Sequence, residues 1–195
     1  MEEKPNNRYV DRILKSDSFE VLYHRFKYAD YPSKELSESF GAMENLKTVC
    51  RIDDYTWLHI GDGTYTRTAA IFAFFSKSYN YSIDPKINIQ KFTEWAFKYK
   101  VQNLMPLKTK FEKITDTFDS RKYSICCVHA HINLVDIDKK FPNWNYFYSN
   151  VCCYPERQTF PQCYMSENKI IKVLDYDDYS ILSDKRRVVI YRKCK

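Results

Sequence analysis

Residues 57–85 read WLHIGDGTYTRTAAIFAFFSKSYNYSIDP and hold two of the chain's three glycines, both within Ile60-Gly61-Asp62-Gly63. Immediately upstream, Tyr-Thr-Trp-Leu-His-Ile at 55–60 is short, β-branched and aromatic, which is strand composition, and it stops at Gly61. Residues 67–77 then have the apolar content and length of a helix, 79–83 form a second short strand, and 87–99 a second amphipathic helix. Strand, helix, strand, helix implies parallel strands joined by crossovers, an α/β fold.

A strand that ends at Gly-Asp-Gly and restarts as a helix suits a bound ligand. Glycine reaches backbone angles closed to other residues and lets a ligand approach bare main chain. The first helical turn also offers amides without intrahelical partners, which can hold a polar or anionic group. Asp84 closes the second strand, about twenty residues on, where dinucleotide-binding folds carry a carboxylate that accepts hydrogen bonds from ribose hydroxyls. Loop and acid together predict a nucleoside-type ligand; the alternative is an ordinary tight turn with a solvated Asp84.

Outward from this stretch, residues 1–50 read as helical, with a break at Tyr31-Pro32-Ser33 because the residue before proline is pushed out of the helical region. Downstream, strands are expected at 107–111, 123–128 (YSICCV), 146–153 (YFYSNVCC) and 187–191 (RVVIY), with a short helix at 134–140. The continuously apolar runs fit interior strands covered on both faces. With no repeat or linker, 1–195 reads as one domain, a helical extension at 1–50 and a Rossmann-like core at 55–195.

Hydrophobic residues at 44% and charged residues at 29% exclude a disordered or fibrous chain. No apolar run approaches the roughly 18 residues of a membrane span, and MEEKPNNRYV has no apolar signal core, so an intracellular, non-membrane protein is expected. The net charge of +6 is spread along the chain, but residues 185–195 hold six basic residues and no acidic one. That edge is either an anion-binding surface or a solvated rim.

Seven cysteines include the adjacent pairs Cys126-Cys127 and Cys152-Cys153, both in apolar runs, and reduced, buried thiols are expected. YSICCV runs into His129-Ala130-His131. Strand ends on one edge of an open α/β sheet form the ligand site, so His129 and His131 are candidate bases or substrate contacts facing the glycine loop. Histidines with Cys152 and Cys153 have the chemistry of zinc ligands, but neighbours on a strand point to opposite faces and no Cys-x-x-Cys occurs. No metal ligand set is therefore assigned, and no cysteine lies at a nucleophile turn.

The stretch 55–85 resembles motif I and the following acidic motif of the class I S-adenosylmethionine-dependent methyltransferases. Gly61 and Gly63 match the family's first two glycines and Asp84 its ribose-binding acid, while His59 replaces an acid and Tyr65 the third glycine. The resemblance implies S-adenosyl-L-methionine as cofactor, held by Gly61, Asp62, Gly63, Thr64, Tyr65, Arg67 and Asp84. These replacements are expected to narrow the pocket or to leave the cofactor differently held, and Arg67 is expected to contact a carboxylate or pair with Asp62. Phe111-Glu112 matches the place where family members contact adenine, and DYDDYSILSDKRRVVIYRK at 175–193 is similar to their final antiparallel hairpin. That hairpin separates the reading from a nicotinamide-dependent oxidoreductase.

A histidine ending one strand and Cys-Cys ending the next resemble a subgroup containing certain tRNA 2′-O-methyltransferases, although His131 and Ile132 stand where that subgroup has Cys-Gly. RNA or another anionic substrate follows as an expectation. The lack of an Asn-Pro-Pro-Tyr type of segment argues against methylation of a base nitrogen. The alternative to a methyltransferase is a non-catalytic binding protein built on the same fold.

Overall fold

Thr56–Ile60 forms β1, buried along its whole length, and it pairs in parallel with β2 (Asn80–Ile83) on one side and β4 (Tyr123–Val128) on the other. The computed structural model describes residues 7–115, 118 and 122–194. Residues 1–6 of the expected helical extension and Lys195 of the basic run lie outside them. With β3 (Leu104–Leu107), β5 (Tyr146–Val151), β6 (Ile170–Asp177) and β7 (Arg187–Lys193), the strands form one seven-stranded sheet in the order β3-β2-β1-β4-β5-β7-β6. Strands β1 to β5 run parallel, while β7 lies antiparallel between β5 and β6. The strand order reverses between β1 and β4, which opens a crevice outside their carboxyl ends.

Five helices share one face of the sheet: α1 (Arg8–Leu14), α2 (Phe19–Phe26), α3 (Pro32–Lys47), α4 (Arg67–Phe75) and α5 (Ile89–Tyr99). Pro32 opens α3, where its missing amide removes no helical bond, and Asn7 and Asn88 cap α1 and α5 with their side chains. The second face is covered by α6 (Leu134–Lys140) and α7 (Gln162–Glu167) with a 3-10 turn at Phe111–Lys113. Among the described residues, no helix is long and apolar enough to cross a membrane.

The first and last parts of the chain meet at Asp178, a buried carboxylate in the connection between β6 and β7. It accepts hydrogen bonds from the Tyr9 hydroxyl at 2.5 Å and the Asn45 side-chain amide at 2.8 Å, with Arg8 at 3.4 Å. The helical extension is thereby part of the same core.

Several boundaries differ from the sequence reading. The third strand is 104–107 rather than 107–111: Pro106 disguises it, and is tolerated because β3 is at the sheet edge. β5 ends at Val151, so Cys152 and Cys153 are not strand residues. The hairpin begins at Ile170, not at 175, because β6 is an exposed edge strand without a continuous apolar run. Of the seven free cysteines, Cys126, Cys127 and Cys152 are buried, but Cys50 and Cys194 are only partly so, and Cys153 and Cys163 are exposed.

Candidate functional site

The two glycines of the loop after β1 are required for different reasons. Gly61 has φ +75°, and a Cβ there would fall 2.9 Å from Ala130 Cβ, so the segment just after β4 passes too close for any side chain. Gly63 has φ +71° and a Cβ there would meet nothing within 4 Å. Its bare face is turned to open space.

Asp62, between them, overturns the expectation that the start of α4 offers its amides to a ligand. Its Oδ1 accepts from Thr68 N at 2.8 Å, and its Oδ2 from Ala69 N at 3.1 Å and Ser82 Oγ at 2.9 Å. The residue preceding the helix, Thr66, is left-handed at φ +51° and makes no side-chain cap, so Asp62 caps α4 from the loop. Burial pushes its carboxyl up to about 6, against the pull of those donors. Asp62→Ala is expected to lower stability by about 1–2 kcal/mol, the scale of a lost cap, in a denaturant titration.

Asp84 ties the second strand to the loop. Its Oδ2 accepts from Gly63 N at 3.0 Å and its Oδ1 from Lys86 N at 2.7 Å. A carboxylate has about four acceptor sites, so two such bonds leave capacity for a ligand. The acid lines a cavity of about 410 Å³ together with Gly61, Gly63, Phe111, Glu112, His129 and His131. Ile60, Ile83 and Ile132 supply apolar wall. Residues from the ends of β1, β2 and β4 and from the segment after β3 therefore converge on one space, although in sequence they span from 60 to 132.

A smaller cavity of about 190 Å³ adjoins it, sharing Gly61, Gly63 and His129, and it is strongly charged. Lys34, Glu35 and Glu38 of α3 face Arg67 of α4 there. His129 has φ +51°, an uncommon backbone state for a residue with a side chain, and its Nε2 lies 2.6 Å from Glu38 Oε1. Glu38 itself is buried and is also 3.3 Å from Lys34.

Other sequence expectations change on this geometry. Arg67 pairs with Glu35 rather than Asp62, and its Nε donates to Arg25 O at 3.1 Å. Tyr65 does not narrow the cavity: it turns the other way and stacks on Tyr28, with ring centroids 5.4 Å apart. Thr64 lines neither cavity; its carbonyl accepts from Asn88 N at 3.1 Å. His59 is buried in the core, where Nε2 is 3.0 Å from Asn80 Oδ1 and the ring sits edge-on to Phe72. Burial lowers its pKa to about 4, so at neutral pH it is uncharged.

Sequence reasoning missed Glu38, Lys34 and Arg25. Ser37, Glu38 and Ser39 are buried in succession within α3, and a buried acid needs a partner, but residue types alone do not reveal that burial. Arg25 of α2 is buried behind the glycine loop, donating from Nε to Tyr65 O at 2.7 Å and from Nη2 to Thr66 Oγ1 at 3.1 Å, over the Trp95 ring. Burial lowers its pKa to about 10. The expectation that Cys152 and Cys153 cannot share a site also fails, because both follow the end of β5 and the alternation of a strand no longer separates them. Their sulfurs and a His131 nitrogen lie within 4.8 Å of one another.

No family model and no curated protein matches the sequence. Solved structures do match. Magnesium protoporphyrin IX methyltransferase from Synechocystis PCC 6803, crystallised with S-adenosylmethionine bound, aligns over 100% of both chains with a TM-score of 0.59 at 9% identity. The chain has the class I methyltransferase fold. An rRNA methylase from Streptococcus thermophilus aligns over 80% of this chain and 96% of its own, with a TM-score of 0.53 and 13% identity. An S-adenosylmethionine-dependent methyltransferase from Leishmania major covers 93% of this chain and 88% of its own at a TM-score of 0.51 and 13% identity. The Rossmann-like sheet with its final antiparallel hairpin, expected from sequence, is thus the observed architecture.

Proposed function

We propose that this protein binds S-adenosyl-L-methionine and transfers its methyl group to an acceptor. The observation that carries the reading is the convergence of Gly61, Gly63, Asp84, Phe111 and His129 on one 410 Å³ cavity at the carboxyl ends of the parallel strands. Adenosine fits the larger, partly apolar cavity, with Asp84 accepting from ribose hydroxyls and Phe111-Glu112 beside the base. The zwitterionic amino-acid end suits the smaller cavity, whose Lys34 and Arg67 answer a carboxylate and whose Glu35 and Glu38 answer an ammonium group. Gly63, whose missing side chain leaves open space, lets the cofactor cross between the two.

Methyl transfer needs little side-chain chemistry once an acceptor is aligned with the sulfonium. Bound here, S-adenosyl-L-methionine would supply a methyl group activated by its sulfonium, and the part left to the chain would be to hold the cofactor and align the acceptor. The remaining requirement is somewhere for the acceptor's proton to go. His129 stands at the shared wall of both cavities, 2.6 Å from Glu38 Oε1, and is the residue placed to receive that proton. RNA or another anionic acceptor would fit the net charge of +6.

Calorimetry with S-adenosylmethionine and S-adenosylhomocysteine tests the cofactor. Both should bind the wild type, and Asp84→Ala should weaken binding by about 1–3 kcal/mol, the cost of leaving ligand hydroxyls without their charged partner. Absence of heat with either ligand would transfer the fold to a non-catalytic binding role.

A further inference from the structure

We infer that His131, Cys152 and Cys153 form a zinc site at the rim of the larger cavity, with three protein ligands and one position left open. Their ligand atoms lie within 4.8 Å of one another, although they come from two separate segments, one following β4 and the other following β5. In a tetrahedral zinc site with bonds of about 2.3 Å to sulfur, two thiolates stand about 3.8 Å apart, so side-chain rotation rather than backbone movement suffices to close the group. Two thiolates with one imidazole are the soft, nitrogen-containing set that zinc prefers over calcium or magnesium.

The surroundings support the site as a built one. Gln158 is buried, and its side chain binds both segments at once: its Oε1 accepts from Cys152 N at 2.7 Å, and its Nε2 donates to Ala130 O at 2.6 Å. The same Nε2 lies 3.1 Å from Cys152 Sγ, a donor aimed at a thiolate ligand. Cys152 is buried while His131 and Cys153 are exposed, so an ion would be anchored on one side and reachable on the other. Because His131 also lines the 410 Å³ cavity, the open position would be available to water or to an atom of a bound substrate. This inference stands without the methyltransferase reading, since it needs neither cofactor nor acceptor.

The test is a titration of the full, reduced chain with cobalt(II), followed by competition with zinc. The wild type should develop thiolate-to-cobalt charge-transfer absorption that saturates at one equivalent and disappears when zinc is added. Cys153→Ser and His131→Ala change exposed residues and should keep the native circular dichroism, yet weaken zinc at least 100-fold, beyond the roughly 10–100-fold attached to an outer partner. Cys163→Ser, an exposed cysteine elsewhere, should bind as the wild type does. A wild type without the charge-transfer band, or a folded Cys153→Ser with undiminished zinc affinity, overturns the site.

Discussion

Gly61→Val is expected to remove about 2–6 kcal/mol of folding stability, one of the two largest effects expected. Two causes add. A β-branched residue held at φ +75° is strained by about 1–3 kcal/mol. Its Cβ would also press on Ala130, 2.9 Å from one carbon and 3.3 Å from the backbone Cα, and overpacking of that kind costs about 1–3 kcal/mol. Gly63→Ala is the contrast. It carries only the conformational term of about 1–2 kcal/mol, because nothing lies within 4 Å of the added methyl, but that methyl would enter the space assigned to the cofactor. Urea titrations of the two variants side by side check this. Equal losses would show that Ala130 does not pack closely against Gly61.

The second large effect is a pH dependence set by His59. The unfolded chain protonates this imidazole near pH 6.5, whereas burial holds the folded one near 4. Between those values the unfolded state binds more protons, so the contribution of His59 is full above about pH 6.5 and is lost as pH falls toward 4. At about 1.4 kcal/mol per unit, the loss reaches about 3 kcal/mol. Asp62 acts in the opposite sense. Its folded pKa is raised from 3.8 to about 6, so the folded state takes up that proton first and gains stability over much of the same range. The wild-type curve alone is therefore flattened, and the informative quantity is a difference. Relative to His59→Gln, which keeps Asp62 but removes the imidazole, the wild type should lose about 3 kcal/mol between pH 6.5 and 4 in denaturant titrations. Parallel curves would show that the histidine is solvated rather than enclosed.

What was legible in the sequence follows from which signals are local. The strand-loop-helix at 56–75 was readable because an apolar strand, two glycines and a helical run are each properties of a short window. Asp84 and His129 were placed correctly at the strand ends by topology alone. The direction of side chains was not readable. Tyr65 turns to Tyr28 and Arg67 to Glu35 because α2 and α3 pack behind the loop, a contact between segments about 30 to 40 residues apart that no spacing rule contains. The same is true of Asp62, whose role depends on the left-handed Thr66 leaving α4 without a cap of its own. Cys152 and Cys153 were misjudged by a rule that is sound within strands, and the error lay in two residues of strand length.

The Asp178 junction has a consequence for how the molecule is made. Tyr9 and Asn45 emerge from a ribosome long before the carboxylate that receives their protons, separated from it by 169 and 133 positions. Until that late segment arrives, the buried Tyr9 and Asn45 lack their carboxylate partner, and contacts of such long range form slowly. A nascent chain stalled before the final hairpin would leave uncovered the part of α1 and α3 that Ile181 and Asp178 close, and this is the interval in which chaperone capture and aggregation compete with folding.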